Sequence, residues 1–375
     1  MRLVLHIGGE KTGTTALQDF LFRNSWALLE NEGILYPATG PLCFNSAHFP
    51  VLTAFLPAGS LEFVPADKNL TPDRLRQELL AISEAVKPRI LILSAEHFTS
   101  RMKQPAVSAF SAMLRDMKCF DGISAVFFVR AQDELAISSF STALKFGRRE
   151  WFATQHISPK NPYFNHFAAA EMWASELGEG AVLVRPYARG ATNVPAEFMS
   201  VLGISDMSAY DMPRQMNESL SLEQARILHA VNQLLPNPHA DRGKDKPASN
   251  QQAQRLRNII VQAIAQPGAL PVRTSLFKCL SPQQLAAIRL AFEPANTSLL
   301  QKYGVNLGFS DPAPGESGPE AAGETDTELL ARALIACARA AVRASERLDE
   351  KNKLVQELQS RLGENDRGAG IKATE

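Results

Sequence analysis

The chain has 375 residues, of which 45% are hydrophobic and 21% charged, and its 39 Lys and Arg residues balance 39 Asp and Glu residues. A net charge of zero argues against general binding to nucleic acid, and the apolar fraction excludes wholesale disorder. No stretch approaches the roughly 18 apolar residues of a membrane-spanning helix. The length predicts one large domain or two smaller ones.

The N-terminal apolar run is too short for a signal peptide, and it predicts a buried strand that starts at once. The four cysteines, Cys43, Cys119, Cys279 and Cys337, lie far apart and form no C-x-x-C pair. That spacing favours buried thiols in a reducing compartment over a disulfide framework or a zinc site. We therefore expect a cytoplasmic protein without a metal.

Short apolar runs alternate with helical patterns through the first half of the chain. In chain order, the patterns predict strands over 3–7, 89–94, 123–129 and 181–184, and helices over 15–31, 71–86, 106–118 and 133–146. Such strands, apolar on both faces, predict an α/β fold with a parallel sheet flanked by helices. Ligands of these sheets bind at the carboxyl ends of the strands, so functional residues are expected there.

The second half of the chain carries helical patterns only, over 219–235, 250–266 and 281–303. The predicted organisation is therefore an α/β domain over 1–305, with a core over 1–205 and helical additions over 206–305. A Pro- and Gly-rich linker over 306–326, a C-terminal helix over 327–363 and a disordered tail over 364–375 follow.

The C-terminal helix carries a weak heptad pattern. Apolar residues recur every seven positions, with a second position partly filled: Leu334, Ala341, Leu348, Val355 and Leu362, and then Leu330, Cys337, Ala344 and Leu358. The pattern is typical of a coiled coil that joins copies of the chain, and equally of a solvated or docked helical tail. A homo-oligomer formed through this helix follows only from the first interpretation.

The segment from Gly8 to Thr15 joins the first strand to the first helix and has the composition of an anion site. Glycines let backbone amides approach a ligand, and the helix start presents free N–H groups and a positive dipole end. Lys11 adds a charge, and Thr14 and Thr15 add hydroxyls. The nucleoside-triphosphate pattern would instead place its lysine where Thr14 stands. No strand ends in an Asp that could hold magnesium, so an ATP–magnesium enzyme is poorly supported.

The run from His6 to Gln18 resembles the phosphosulfate-binding loop of sulfotransferases, and it is closest to bacterial members of the carbohydrate-type branch. These enzymes transfer a sulfuryl group from 3′-phosphoadenosine-5′-phosphosulfate (PAPS) to a hydroxyl or amine and release 3′,5′-ADP. The resemblance implies that Lys11 stabilises the bridging oxygen of the leaving phosphate. It further implies a 5′-phosphate cradle made by the backbone of Thr12, Gly13, Thr14 and Thr15. Glu10 departs from the family, which often has Pro or His there, and we expect it to point away or to pair with a nearby base.

A second candidate anion site follows the third strand. Arg130 stands at the end of that strand, and Ser138 lies eight residues later on the next helix. An Arg with a nearby hydroxyl is a good phosphate clamp. The pair resembles the 3′-phosphate site of sulfotransferases, with Gln132 and Phe140 in place of the family's frequent Pro and Tyr. A basic run nearby, at Lys145, Arg148 and Arg149, is either a solvated helix end or a rim that attracts the donor.

Sulfuryl transfer requires a base that removes the acceptor proton. Glu96 and His97 directly follow the second strand, at the edge where the donor would bind, and Ser94-Ala95-Glu96 resembles a segment of the bacterial branch. Glu96 is the first candidate and His97 the second. His48, in a loop, is a third.

The leading hypothesis is a PAPS-dependent sulfotransferase acting on a saccharide, glycoconjugate or other small-molecule acceptor, without a metal. A kinase-like nucleotide enzyme and a non-catalytic nucleotide-binding assembly module are the alternatives. No motif specifies the acceptor. The resemblance covers residues 3–205, is faint to about 304 and does not extend to the C-terminal helix.

Overall fold

A computed structural model describes most of the chain. The described residues are 1–213, 219–236, 248–266, 269–270 and 274–309, with 327–328, 330–335, 337–343, 345–346 and 353 of the C-terminal segment. The predicted linker from residue 310 and most of the heptad lie outside them.

Five parallel strands form one sheet in the described part of the chain. They are β1 (Arg2–Gly8), β2 (Ile34–Leu35), β3 (Ile90–Ser94), β4 (Gly122–Val129) and β5 (Val182–Pro186), in the order β2-β3-β1-β4-β5. The central strand β1 sets Leu5 beside Leu93 of β3 and Ala125 of β4. The carboxyl ends of β3, β1 and β4 therefore meet at one edge, as the fold prediction requires.

Helices follow the strands along the chain. They are α1 (Thr14–Arg23), α2 (Ser25–Glu32), α3 (Phe49–Thr53), α4 (Pro72–Ala85), α5 (His97–Ser100), α6 (Gln104–Asp116), α7 (Gln132–Lys145), α8 (His166–Leu177), α9 (Val194–Val201), α10 (Leu222–Leu234), α11 (Ala248–Ala265) and α12 (Pro282–Tyr303). Short 3₁₀ turns occupy Ala66–Lys68 and Leu276–Cys279.

Both faces of the sheet are buried. Leu3 and Leu5 of β1 belong to one apolar cluster, whereas Val4 between them belongs to another. Alternate side chains of a strand point to opposite faces, so helices must cover the sheet on both sides. The predicted parallel sheet flanked by helices is confirmed.

The chain divides into two compact units. The first contains the sheet and comprises 1–139, 154–218 and 280–312; the second comprises 140–153, 219–279 and 313–375. The domain boundaries predicted from the sequence stay a prediction.

The second unit is organised around Asn232, which is fully buried near the end of α10. Its amide donates to the carbonyls of Leu144 and Arg148, and Arg257 donates to its side-chain oxygen at 2.9 Å. Arg149 donates to the carbonyls of Asn232 and Leu235. Arg149 thus caps the end of α10, where cations are favourable, and is not the solvated residue that the first of the two sequence interpretations describes.

The prediction of one continuous helix over 15–31 is wrong, because two helices, α1 and α2, occupy that range. Asn24 ends α1 and precedes α2; its amide donates to the carbonyls of Phe20 and Asp211, and its side-chain oxygen accepts from the Asp211 amide. These tertiary bonds interrupt the helix at a buried polar residue. Trp26, an apolar residue within the range of the predicted helix, is 70% exposed.

The helix α8 and the short strand β2 were not predicted from the sequence. A cap signal for α8 is present, because the side chain of Asn165 accepts from the amide of Ala168. The following run of alanines gives no clear apolar stripe, so its periodicity is weak. The two residues of β2 are too few for any strand pattern.

The described part of the C-terminal segment is helical, but it buries a different face from the predicted seam. Ala331, Ile335, Ala338 and Val342 are the buried residues, at spacings of three and four. Of the predicted seam, Leu334 is half-buried and Ala341 is exposed. The inward face packs within the second unit, where Arg255 and Glu346 form an ion pair at 3.4 Å. The remaining seam positions named above, from Ala344 onward, lie outside the described residues.

Substitutions on the two faces of this helix should therefore have different effects. Ile335→Glu buries a charge, so we expect the Tm to fall by several degrees, whatever the oligomeric state. Leu334→Glu combined with Ala341→Glu should leave Tm within a few degrees, and it should lower the mass in light scattering if the outward seam joins copies. An unchanged mass would assign assembly to another surface.

Candidate functional site at the carboxyl edge of the sheet

The loop between β1 and α1 has the backbone of an anion cradle. Four of its residues have positive φ angles: Gly8 (85°), Gly9 (123°), Lys11 (65°) and Gly13 (82°). In the described chain no side chain caps the start of α1, and its first turn holds no acid. The first amides of the ten-residue helix are thus available to a ligand, which is the arrangement that binds phosphate-like anions.

The loop hydroxyls hold the loop itself. Thr12 donates to the carbonyl of Gly9 at 2.6 Å, and Thr14 donates to the same oxygen at 3.1 Å. The proton of the Thr14 hydroxyl is therefore used within the loop. Thr15 is exposed. The cradle that the geometry offers is made of backbone amides.

The glycines let the loop pack directly on the neighbouring strands. A Cβ atom on Gly8 would lie 2.3 Å from Cα of Glu96, which follows β3, and one on Gly9 would lie 2.1 Å from the carbonyl oxygen of Phe128 in β4. Both distances are far inside contact. Only glycine fits at these two positions, so the loop is held against the ends of β3 and β4.

Lys11 sits at the top of this loop and is half-buried. Burial lowers the pKa of its ammonium group, and the nearby carboxylates of Glu10 and Glu96 act in the opposite direction. The ammonium group therefore interacts electrostatically with Glu96 as well as with the adjacent Glu10. This brings together the predicted loop cation and the first candidate base.

Arg130 supports the loop from the end of β4. Its Nη1 donates to the carbonyl of Lys11 at 3.1 Å, and its guanidinium lies 5.3 Å from the centre of the Tyr187 ring. Its Nε forms a salt bridge of 2.8 Å with Glu134, one turn into α7. Arg130, the predicted phosphate ligand, is thus beside the loop, but it already has a carboxylate partner, Glu134, that was not predicted from the sequence.

Ser138 lies one further turn along α7 and is half-buried. Glu134 and Ser138 are four residues apart in α7 and therefore share a face of that helix, and Glu134 contacts Arg130. Gln132 is instead structural, because its amide and that of Asn296 in α12 exchange two hydrogen bonds of 2.8 and 3.1 Å. Asp133 is fully buried beside Arg289, at 3.4 Å.

Glu96 stands where β3 meets the loop and is half-buried. It accepts a hydrogen bond of 3.2 Å from Gln18 of α1, which also donates to Ser94 at 3.3 Å. The hydroxyl of Ser94 is 2.7 Å from Nδ1 of the buried His6, whose pKa is lowered to about 3 by burial. A polar row thus runs from the middle of the sheet to Glu96 and fixes its position.

His97 pairs with the unusual loop acid Glu10. Nδ1 of His97 is 3.3 Å from Glu10 and 3.1 Å from the hydroxyl of Ser100. The expectation that Glu10 pairs with a nearby base is confirmed. The ring of His97 packs between Phe49 and Phe63, with centroid distances of 5.2 and 5.6 Å.

A second hydrogen bond holds Glu10 from the opposite side. The hydroxyl of Tyr163 donates to it at 3.2 Å and lies 2.9 Å from the hydroxyl of Ser139. Burial would raise the pKa of Glu10, but hydrogen bonds from His97 and Ser100 and the charges of His97 and Lys11 lower it to about 2. Because this pKa is below the ordinary 4.5, the carboxylate stabilises the fold above about pH 4.5, and that contribution is lost as the pH falls towards 2.

His48 is excluded as a base by its hydrogen bonds. Its Nδ1 accepts from the amide of Ser94 at 2.9 Å, so Nε2 carries the proton and donates to the carbonyl of Pro37 at 3.1 Å. The side chain is completely buried, and burial lowers its pKa to about 4 although both backbone bonds oppose the shift. Its role is to join the end of β3 to the loop after β2.

The described residues were also considered for a metal site and for a membrane-spanning helix. Within the described ranges, no cluster of three or more His, Cys, Asp or Glu side chains is placed to hold a metal ion. No helix in that same part of the chain has the length and apolarity needed to cross a bilayer.

Comparison with known proteins gives little further information. No family model matches the chain, and no curated protein matches it either. One solved structure that resembles it is a sulfotransferase from Alicyclobacillus acidocaldarius, with 13% sequence identity, a TM-score of 0.37, and coverage of 60% of this chain and 88% of that chain. A likeness at this TM-score does not establish a common function.

The packing of the loop generates a matched pair of glycine substitutions. Gly8 and Gly40 have nearly the same φ, 85° and 87°, but none of the described atoms lies within 4 Å of a Cβ placed on Gly40. Gly40→Ala should cost only backbone strain, about 1–2 kcal/mol in the free energy of unfolding. Gly8→Ala adds the collision with Glu96 and should cost more than about 4 kcal/mol, as measured by urea denaturation. Equal costs would mean that the loop does not pack as described.

Proposed function

We propose that this protein is a sulfotransferase that moves a sulfuryl group from PAPS to the hydroxyl or amine of an acceptor. The observation that carries the proposal is the placement of Lys11 inside a glycine-rich cradle, within the field of Glu96. A phosphosulfate needs backbone donors for its phosphate, one cation at the oxygen that leaves, and a base opposite that oxygen. The residues at this edge of the sheet fit each need.

In this proposal the loop amides from Thr12 to Thr15 bind the 5′-phosphate, with the positive end of α1 behind them. Lys11 donates to the bridging oxygen, where negative charge grows as the bond to sulfur breaks. Removal of the acceptor proton falls to Glu96 or His97. The acceptor is proposed to be a saccharide or another small molecule.

Arg130 and Ser138 are proposed to bind the 3′-phosphate. The position of Arg130 beside the loop supports this, because a guanidinium at that point can bridge the loop and a second phosphate. Glu134 would compete with the 3′-phosphate for Arg130. Since it holds Nε of Arg130, the phosphate and this carboxylate compete for the same charge.

A kinase-like enzyme is the less supported alternative. It would need an acid that holds magnesium near the loop. The acids described at this edge are engaged otherwise: Glu10 by His97, Glu96 by Gln18 and Glu134 by Arg130.

The first test is ligand binding and turnover with Lys11→Ala. We expect 3′,5′-ADP to raise the Tm of the native chain without magnesium, and labelled PAPS to support transfer to some members of an acceptor panel. Lys11→Ala should lower that turnover by about a hundredfold to a thousandfold, because one stabiliser of the leaving oxygen is lost.

Three outcomes would contradict the proposal. Stabilisation by ATP only with magnesium would favour the kinase-like alternative. Binding of 3′,5′-ADP without turnover on any acceptor would favour a non-catalytic module. Near-native turnover of Lys11→Ala would remove Lys11 from the mechanism.

The second test concerns the 3′-phosphate. Arg130→Ala should weaken binding of 3′,5′-ADP by about 1.5–3 kcal/mol, and it should affect 5′-AMP much less because that nucleotide lacks the 3′-phosphate. Ser138→Ala should show the same selectivity with a smaller loss. Isothermal titration calorimetry measures both.

Glu134→Gln is the matched control for this test. It removes the competing carboxylate and should tighten 3′,5′-ADP binding, whereas a purely structural salt bridge would make it weaker. Equal weakening of both nucleotides by Arg130→Ala would show that Arg130 supports the loop through the Lys11 carbonyl and does not clamp the 3′-phosphate.

A further inference from the structure

We infer that Glu10 and His97 act as a pair, in which Nε2 of His97 takes the acceptor proton and Glu10 is the positioning residue that holds the imidazole in the required tautomer. The inference rests on the proposed sulfotransfer and assigns its base. It also gives a role to the one loop residue that departs from the sulfotransferase resemblance.

The hydrogen bonds at Glu10 determine the tautomer. Nδ1 of His97 lies 3.3 Å from Glu10 and 3.1 Å from the hydroxyl of Ser100. The ionised carboxylate can only accept hydrogen bonds, and Ser100 gives its one proton to that carboxylate, so Nδ1 must carry a proton. The neutral ring then has its lone pair on Nε2. No hydrogen bond among the described residues uses Nε2, and this atom is not one of the buried unpaired ones. The nitrogen on the far side of the ring from Glu10 is therefore free to accept a proton.

The carboxylate is held from three directions. His97 and Ser100 approach it from α5, and Tyr163 approaches it from the segment before α8. The phenol has one proton and gives it to Glu10, so the hydroxyl of Ser139 must donate to the phenol oxygen. A half-buried carboxylate with three donors is held in place, and it can stabilise the imidazolium that forms when His97 accepts a proton.

Glu96 is less suited to this role. It already accepts a hydrogen bond from Gln18 and interacts electrostatically with the ammonium group of Lys11, so its carboxylate is engaged by other groups of the site. The charged and titratable groups that face the Glu10–His97 pair are Lys11, which also faces Glu96, and Tyr163, which is itself near Arg101.

The proposed transfer forms one bond to sulfur, breaks another and moves one proton. The acceptor oxygen forms a bond to sulfur while the bond from sulfur to the bridging oxygen breaks, and that electron pair leaves on the 5′-phosphate of 3′,5′-ADP. The proton of the acceptor hydroxyl moves to Nε2 of His97, and it is released to water after the product leaves. Glu10 stays ionised throughout.

Nitrogen-15 NMR of the native chain tests the tautomer without any turnover. At about pH 9, above the range in which imidazole ordinarily titrates, His97 should carry its proton on Nδ1; the His97→Asn variant identifies its signals. In Glu10→Gln the proton should shift to Nε2 in a large part of the molecules, because an amide can donate to Nδ1. A native ring protonated on Nε2, or an unchanged tautomer in Glu10→Gln, would overturn the inference.

Kinetics with the best acceptor of the panel test the role. His97→Asn should lower kcat by about a hundredfold to ten-thousandfold, the usual effect of a general base. Glu10→Gln should lower kcat by about tenfold to a hundredfold, and the double variant should be no slower than His97→Asn alone. Additive losses, or a Glu96→Gln variant that loses turnover while His97→Asn keeps it, would overturn the inference.

Binding of 3′,5′-ADP separates this role from damage to the loop. Glu10→Gln removes a negative charge near an anion site, so affinity should stay the same or increase; weaker binding would assign Glu10 to loop structure and overturn the inference. Glu171→Gln is the control, since Glu171 is likewise held by a cation and a tyrosine, Lys302 and Tyr303, and it should leave kcat unchanged. If the native chain binds no 3′,5′-ADP, the proposed function itself fails; if it binds and turns over with additive losses, only the inference fails.

Discussion

The close approach of the β1–α1 loop to its two neighbouring strands is the constraint on which the site depends. Gly8 touches the backbone of Glu96, and Gly9 touches the carbonyl of Phe128. These contacts bring the ends of β3 and β4 against the loop, so that Glu96 and Arg130 reach it from opposite sides. Any side chain at either glycine would separate the loop from the groups that surround it. Sterics, rather than attraction, therefore determine the geometry.

A second constraint is the cost of burying charge. Glu10, Glu96 and Glu134 all lie near a loop that is suited to an anion, and each has a specific partner: His97, Gln18 and Arg130. A half-buried carboxylate without such partners would lose part of its hydration uncompensated and would destabilise the fold. The partners keep three negative charges in place and also limit which cations remain available to a ligand. Lys11, the cation of the loop, lies near the carboxylates of Glu10 and Glu96 but forms no salt bridge among the described residues.

The sequence predicted the frame of the site well and its side-chain pairs poorly. Continuous apolar runs revealed the strands β1, β3, β4 and β5, because burial on both faces leaves a strong local pattern. The same reasoning placed Lys11, Glu96, His97 and Arg130 at one edge, since parallel strands end together. It could not predict the break at Asn24 or the bond from Tyr163 to Glu10, because both depend on residues far apart in the chain. The salt bridge from Arg130 to Glu134 was also missed, because Arg130 lies before the helix and the i to i+4 rule applies only within one.

The ion pairs of the site also indicate how binding of a donor would be coupled to the loop. Arg130 holds the carbonyl of Lys11 through Nη1 and Glu134 through Nε. A phosphate near this guanidinium would compete with Glu134 but would leave the bond to Lys11 unchanged, because the two donors lie on different nitrogens. In the proposed complex, a 3′-phosphate would take the place of Glu134 at Nε, while Nη1 would keep holding the loop. Glu134 would then set how strongly Arg130 can bind a phosphate, because the two anions compete for one guanidinium.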